Sequence, residues 1–259
     1  MLRFCSLGSG STGNATLVEA SSGVGTTRLL IDAGFSLREL GSRLARTGLT
    51  IDDIDAVFVT HEHGDHVGCA LTLARRRRIP LWTSLGTWRA VGDPAAQEWL
   101  HVARDGEAIA VGELQILPYT VPHDANEPLQ LRVTDGDACL GVLTDAGSST
   151  AHLLAHLQRC DALLLECNHD LEMLANSSYP ASLKRRVGGR LGHLSNETAA
   201  QILSACLHGG LRHLVAAHLS RQNNRPELAV QALAGVTGGS PGDIIVADPV
   251  SGFDWLSLR

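Results

Sequence analysis

The tract Thr60-His61-Glu62-His63-Gly64-Asp65-His66 constrains this chain more than any other stretch. It gathers three histidines and two carboxylates into six consecutive positions, directly after the apolar run Asp55-Ala56-Val57-Phe58-Val59. That run reads as a buried β-strand, and the small and apolar residues 67–74 beyond the tract read as a packed helix. Packing alone gives no reason to collect so many polar donors at the exit of a buried strand. Imidazole nitrogens and carboxylate oxygens are what a borderline cation such as Zn²⁺ or Mn²⁺ binds. With two ions, alternation along an extended segment turns His61 and His63 toward one. Asp65 and His66, at the turn into the helix, then face the other. Glu62 is left pointing away. The alternative is a polar loop whose histidines only cap and hydrogen-bond, and the density and context of the donors argue against it.

At 259 residues the chain can bury a large core, and one α/β domain spanning residues 1–259 is expected. No apolar run approaches the roughly 20 residues that span a bilayer. Residues 1–8 lack the apolar segment and cleavage site of a signal peptide and read as a first strand, so a cytoplasmic location without membrane contact is expected. The six cysteines (Cys5, Cys69, Cys139, Cys160, Cys167 and Cys206) are scattered and form no C-x-x-C pair. They read as reduced, small hydrophobic residues rather than a zinc knuckle or a disulfide framework. A formal net charge of −6 argues against a basic nucleic-acid coat but permits a local basic groove.

In chain order, the first strand runs into the turn Gly8-Ser9-Gly10-Ser11-Thr12-Gly13-Asn14. This is no P-loop: the Lys-Ser/Thr is missing, and the residues that follow look like strand. A hairpin loop at 21–27 leads to a buried strand at 28–34 that ends in Asp32 and Gly34. Residues 35–47 have helical spacing, with Ser36 as cap and Gly48 as stop. Arg75-Arg76-Arg77-Arg78, before a strand at 79–83, reads as a solvated helix C-terminus in preference to a direct polyanion contact. Strands are expected at 108–111, 114–121, 129–134, 138–144, 162–167, 211–217 and 244–247, and helices at 149–158, 196–207 and 226–233. A strand-rich first half and a strand–helix second half suggest two packed mixed β-sheets flanked by helices.

The opening tract has too few donors for two ions of four or five ligands each. Further candidates sit at strand ends in Pro122-His123-Asp124, Thr144-Asp145-Ala146-Gly147 and Ala217-His218-Leu219-Ser220, with Gly192-His193-Leu194-Ser195-Asn196 just before a helix. A shared site could draw them together.

The spacing H-x-H-x-D-H behind a hydrophobic strand resembles the signature of the metallo-β-lactamase fold superfamily. The resemblance implies an α/β fold, an αββα sandwich of two similar halves with two divalent ions (Zn²⁺, Mn²⁺ or Fe²⁺) at one edge between the sheets. It implies that His123 joins His61 and His63 on the first ion, that His218 joins Asp65 and His66 on the second, and that Asp145 bridges them. Asp32 matches the early aspartate that orients ligands. An aspartate rather than a cysteine at position 145 disfavours typical β-lactamases.

Gly192-His193-Leu194-Ser195-Asn196 resembles the segment of RNase Z and its relatives whose histidine protonates the leaving oxygen. SLGSGSTGN at 6–14, THEHGDH at 60–66, PHDA at 122–125, TDAG at 144–147, ECNHD at 166–170, GHLSN at 192–196 and HLSRQNN at 218–224 together resemble the YycJ/WalJ branch. That branch implies a metal-dependent 5′→3′ exonuclease on DNA, working through a water activated between two metals, with Asp65 in the catalytic centre and His193 as general acid. Glu166 or Asp170 would orient His193, and His169 would be a phosphate contact, an extra ligand or a buried structural residue. Lys184, Arg185, Arg186 and Arg190, with Asn168, would grip the nucleic acid, unless the basic segment is only an exposed helix face. Two features depart from the branch: position 217 is Ala where it has Gly, and no inserted nucleic-acid clamp is present. Other classes to separate are a thioester or lactone hydrolase of the same fold and a non-catalytic metal-binding module.

Overall fold

Strands β1 (Leu2–Gly8), β2 (Ala15–Ser21) and β3 (Thr26–Ile31) form an antiparallel meander. Helix α1 (Leu37–Ala45), capped by Ser36 Oγ on the Glu39 N–H, then carries the chain to β4 (Ala56–Phe58), which adds in parallel to β3. Short helices α2 (Gly64–Val67) and α3 (Ala70–Arg77) precede β5 (Leu81–Thr83), and α4 (Leu85–Ala90) precedes β6 (Leu100–Val102). This computed structural model describes residues 1–92 and 98–258.

The second half repeats the plan. Strands β7 (Ile109–Val111), β8 (Leu114–Thr120), β9 (Leu129–Thr134) and β10 (Cys139–Leu143) pair antiparallel. After α5 (Ala151–Leu157), β11 (Ala162–Glu166) joins β10 in parallel. Helices α6 (Leu171–Asn176), α7 (Ala181–Val187) and α8 (Asn196–Cys206) lead to β12 (His213–Ala217), and α9 (Pro226–Thr237) leads to β13 (Ile244–Val246), both parallel additions. Strand β14 (Phe253–Ser257) returns to pair with β1. The result is two seven-stranded sheets, ordered β14-β1-β2-β3-β4-β5-β6 and β13-β12-β11-β10-β9-β8-β7.

Three apolar layers make this an αββα sandwich. Phe4, Leu29 and Phe58 meet Leu131, Val142 and Leu164 between the sheets. The outer face of the first sheet packs on Leu40, Leu44 and Leu73 of α1 and α3, and that of the second on α5, α8 and α9. Each fully buried Leu or Phe contributes roughly 1.5–3 kcal/mol. Among the described residues no helix is long and apolar enough to cross a membrane, and all six cysteines are free and buried.

Several local expectations need correction. The helix expected at 67–74 is two pieces, because Gly68 takes φ +30° and approaches the Ala33 carbonyl and Gly34 too closely for any side chain. Helix α9 runs four residues past 233, to Gly238 in the left-handed conformation. The contrast between a strand-rich and a strand–helix half is also wrong. Both halves run antiparallel and then parallel, and three-residue strands such as β5 and β6 are too short to show a period.

Candidate metal centre

Parallel pairing aligns strand exits, and the residues that follow them meet at one edge of the sandwich. Asp32 follows β3, the histidine tract follows β4, His123 follows β8, Asp145 follows β10, Glu166 ends β11 and His218 follows β12. Asp32 and His218 are non-glycine residues at φ +60° and +53°. Such positions cost of order 1 kcal/mol each and cluster where a site over-determines the backbone. Gly34 must lack a side chain, because the Asp65 carbonyl occupies the place of a Cβ.

His61, His63 and His123 turn one ring nitrogen each into a common point. His61 Nε2 lies 3.1 Å and His123 Nε2 3.3 Å from His63 Nδ1. A tetrahedral ion with metal–nitrogen bonds of about 2.0–2.1 Å has ligand edges near ~3.3 Å, so the spacing suits one. A second group comprises Asp65, His66 and His218. Asp65 Oδ2 is 3.7 Å from His66 Nε2 and 3.5 Å from His218 Nε2. Asp145 lies between the groups, its Oδ2 3.1 Å from His66 Nε2 and its Oδ1 3.9 Å from His123 Nε2. Asp145 Oδ2 and His218 Nε2 are buried yet make no hydrogen bond. Two buried lone-pair atoms without a donor, both aimed into the same cluster, suit a cation.

The far sides of four of the rings are also fixed. His123 Nδ1 donates to the Gly192 carbonyl and His218 Nδ1 to the Thr144 carbonyl, both at 2.9 Å. His66 Nδ1 donates to Asp32 Oδ2 at 2.7 Å, and His61 Nδ1 meets Thr60 Oγ1 at 3.0 Å. Thr60 in turn donates to Asp32 through its N–H and hydroxyl, at 2.8 and 2.9 Å. In His61, His66, His123 and His218 these partners commit Nδ1 and leave Nε2 for an ion, whereas His63 turns Nδ1 inward. Glu62 faces away, accepting from the Asn126 N–H at 2.8 Å.

Burial, reinforced by the neighbouring His66 charge, holds His61 well below the usual histidine range, and burial also lowers His123. These two rings are neutral and ready to ligate. Burial would lower His66 too, but Asp145 and Asp32 outweigh it and push that imidazole up to about 10. His218 is likewise raised, against its burial, chiefly by Asp145. Asp145 is held well below the carboxylate range, where the His218 and His66 charges overcome the penalty of burial. Without an ion, protons on His66 and His218 balance the acids. An incoming cation must displace them.

Next to this cluster, His193 Nδ1 donates to Glu166 Oε1 at 2.7 Å. Glu166 is wholly buried, and its Oε2 accepts from the N–H groups of Ala146 and Leu194 at 2.8 and 3.3 Å. Burial would lower the His193 pKa, but the Glu166 carboxylate overcomes this and raises it. Of the two acids expected to orient His193, only Glu166 does so. Asp170 caps α6, accepting from the Met173 N–H at 2.8 Å. His169 is buried beside Gly188 with neither ring nitrogen hydrogen-bonded. Asn168 donates to the His218 carbonyl at 3.0 Å and lines the cleft.

That cleft, of about 370 Å³, is walled by Asp65, Asp145, His193 and His218 and bounded by Ser11 on one side and Arg186 of α7 on another. The basic segment divides. Arg186 reaches the rim and pairs with Asp124 at 2.5 Å, and Asp124 lies 3.8 Å from His63 Nε2. Lys184 turns back to the Ala175 carbonyl at 2.6 Å, which removes it from the cleft wall. Arg185 and Arg190 are exposed, and neither lines the cleft. Residues not singled out from sequence also shape the site: Thr60, Asp124 and Asn14. All three sit inside motifs that carry the branch resemblance, Asn14 as the last residue of SLGSGSTGN, but nothing in the sequence gave any of them a role.

Two sheets with a histidine–aspartate centre at their shared edge define the class, and the chain belongs to the β-lactamase superfamily, whose domain matches residues 27–219. Within it, the chain is 33% identical over 240 residues to exodeoxyribonuclease YycJ of Bacillus anthracis, covering 91% of this chain and 89% of that one. It is 34% identical over 232 residues to exodeoxyribonuclease WalJ of Streptococcus pneumoniae, covering 88% and 85%. Its fold matches the metallo-β-lactamase fold protein YhfI of Bacillus subtilis with a TM-score of 0.74 at 17% identity, over 98% of each chain.

Proposed function

We propose that this chain is a dinuclear metal-dependent phosphodiesterase, a 5′→3′ exonuclease acting on DNA. The observation that carries this reading is His193, clamped by buried Glu166 and facing the same cleft as the metal-ligating cluster. In it, His61, His63 and His123 would hold one divalent ion and Asp65, His66 and His218 the other, with Asp145 placed to serve either. Bound there, the ions supply Lewis acidity and an acidified water at neutral pH. A cysteine-free set of imidazoles and carboxylates suits Zn²⁺, Mn²⁺ or Fe²⁺.

The chain's own groups do the rest. Nδ1 of His193 is committed to Glu166, so Nε2 is the atom that meets substrate. The Glu166 carboxylate raises the His193 pKa, which favours the protonated form that a general acid for a departing 3′ oxygen needs. Arg186 stands at the rim, neutralised by Asp124 until a phosphate competes for it. The names of the YycJ and WalJ relatives support DNA as substrate. Six free, buried thiols suit a reducing cytoplasm.

The test is cleavage of end-labelled single- and double-stranded DNA and RNA in Mn²⁺ and in Zn²⁺. Nucleotides should leave the 5′ end of DNA, and His193→Ala should lower kcat by about 10²–10⁴-fold, the range of general acid catalysis. Intact substrates, or an Asp65→Ala variant as active as the parent, would overturn the proposal. Thioester or lactone turnover without oligonucleotide cleavage would move it to the small-molecule branch of the fold.

A further inference from the structure

The glycine-rich turn between β1 and β2 has no task in the reading above, yet it touches the metal centre directly. Its last residue, Asn14, is 4% exposed. Asn14 Oδ1 accepts from the Gly10 N–H at 2.8 Å and lies 3.3 Å from Ser9 Oγ. A backbone N–H can only donate, so this bond fixes which end of the amide is oxygen. Nδ2 is therefore the end that faces the centre. It lies 3.2 Å from the Asp65 carbonyl, 3.4 Å from Asp65 Oδ2 and 3.1 Å from His66 Nε2.

The backbone strengthens the link. Asn14 N–H donates to the Asp65 carbonyl at 2.8 Å, and its own carbonyl accepts from the Gly34 N–H at 2.9 Å. The same turn reaches a third residue of the group, because Ser9 Oγ accepts from the His218 N–H at 2.9 Å. One loop thus grips Asp65, His66 and His218. Among the described residues it makes no hydrogen bond to His61, His63 or His123.

Building on the dinuclear reading, we propose that Asn14 is a positioning residue for the second ion alone. Its amide holds the Asp65 carboxylate in the orientation that lets Oδ2 share a cation with His66 and His218. Glycine is required in the turn at 8 and 13, where a Cβ would strike the Arg43 and Phe35 side chains and the Gly34 carbonyl. Removing a partner that orients a ligand typically costs about 10–100-fold in metal affinity.

The experiment is calorimetric titration of metal-free protein with Co²⁺, with the visible absorption of the bound ion recorded in parallel. The parent should take two ions in two events. Asn14→Ala should weaken one event about 10–100-fold, change its absorption band and leave the other untouched. The retained event reports that the variant is folded, and adding His63→Ala should abolish it. Ser9→Ala, which removes only the hydroxyl beneath His218, should weaken the same event to a smaller degree. Two unaltered events in Asn14→Ala, or an equal loss in both, would overturn the role of Asn14 while leaving the dinuclear centre standing. A parent that takes only one ion would overturn the dinuclear reading, and the inference with it.

Discussion

Glu166 is buried completely, and every bond its carboxylate makes is directed: one oxygen to two backbone N–H groups, the other to His193 Nδ1. It does not line the cleft. Its removal should therefore act on the proton chemistry and not on substrate binding. Glu166→Gln keeps the shape but leaves His193 without its anion, and kcat should fall at least about 10²-fold while KM stays within a factor of a few. Steady-state cleavage of a labelled oligonucleotide checks this. A loss carried wholly by KM would show that Glu166 shapes binding instead. The division between legible and hidden residues follows the same logic. The histidines and aspartates at strand exits were readable because donors crowd one short tract or recur at strand ends. Asn14, the Gly192 carbonyl and the Thr144 carbonyl lie in motifs that were legible, but they act through contacts between distant segments, so their roles were not. Asp170 shows the converse, an acid in a suggestive motif whose geometry makes it a helix cap.

Strands β1, β2 and β3 carry an ion-pair ladder across the outer part of the first sheet. Glu19 stands opposite Arg3 and Arg28, and its two oxygens accept from the two Nε–H groups at 2.7 Å each. Burial would raise the Glu19 pKa, but the two guanidinium partners outweigh it and hold it below the usual carboxylate value. A depressed folded-state pKa stabilises above the unfolded value of about 4.3 and loses that stabilisation as pH falls through the folded value. Glu19→Gln should therefore cost about 2 kcal/mol at pH 7. Denaturant melts of both proteins should converge as pH falls through the depressed folded-state value, and a gap that persists in stronger acid would show that packing, not charge, is at stake. At this scale the long strands and helices α1, α5, α8 and α9 were readable from period and caps. Strands β6 and β14 and helix α4 were not, because three to six residues at a sheet edge take their structure from neighbours rather than from their own pattern.

The centre joins the two halves of the molecule. His61, His63, Asp65 and His66 follow a strand of the first sheet, whereas His123, Asp145 and His218 follow strands of the second. Ions held by both sets would cross-link the sheets at the edge where like-signed groups otherwise need protons to coexist. A ligand that binds only the folded state, at about 1,000 times its Kd, adds about 4 kcal/mol. For a chain of this size each kcal/mol moves Tm by about 2–4 °C. Stripping metal with a chelator should then lower Tm by roughly 10 °C, and stoichiometric Mn²⁺ or Zn²⁺ should restore it. The gap should also depend on pH in a fixed direction. His66 and His218 carry raised pKa values in the metal-free site, so each ion must expel protons that are held more firmly as pH falls. The difference in Tm between loaded and stripped protein should shrink from pH 8 to pH 6. Scanning calorimetry across that interval decides the matter: equal Tm values at every pH would mean that the sheets are held by packing alone and that the cluster binds no ion.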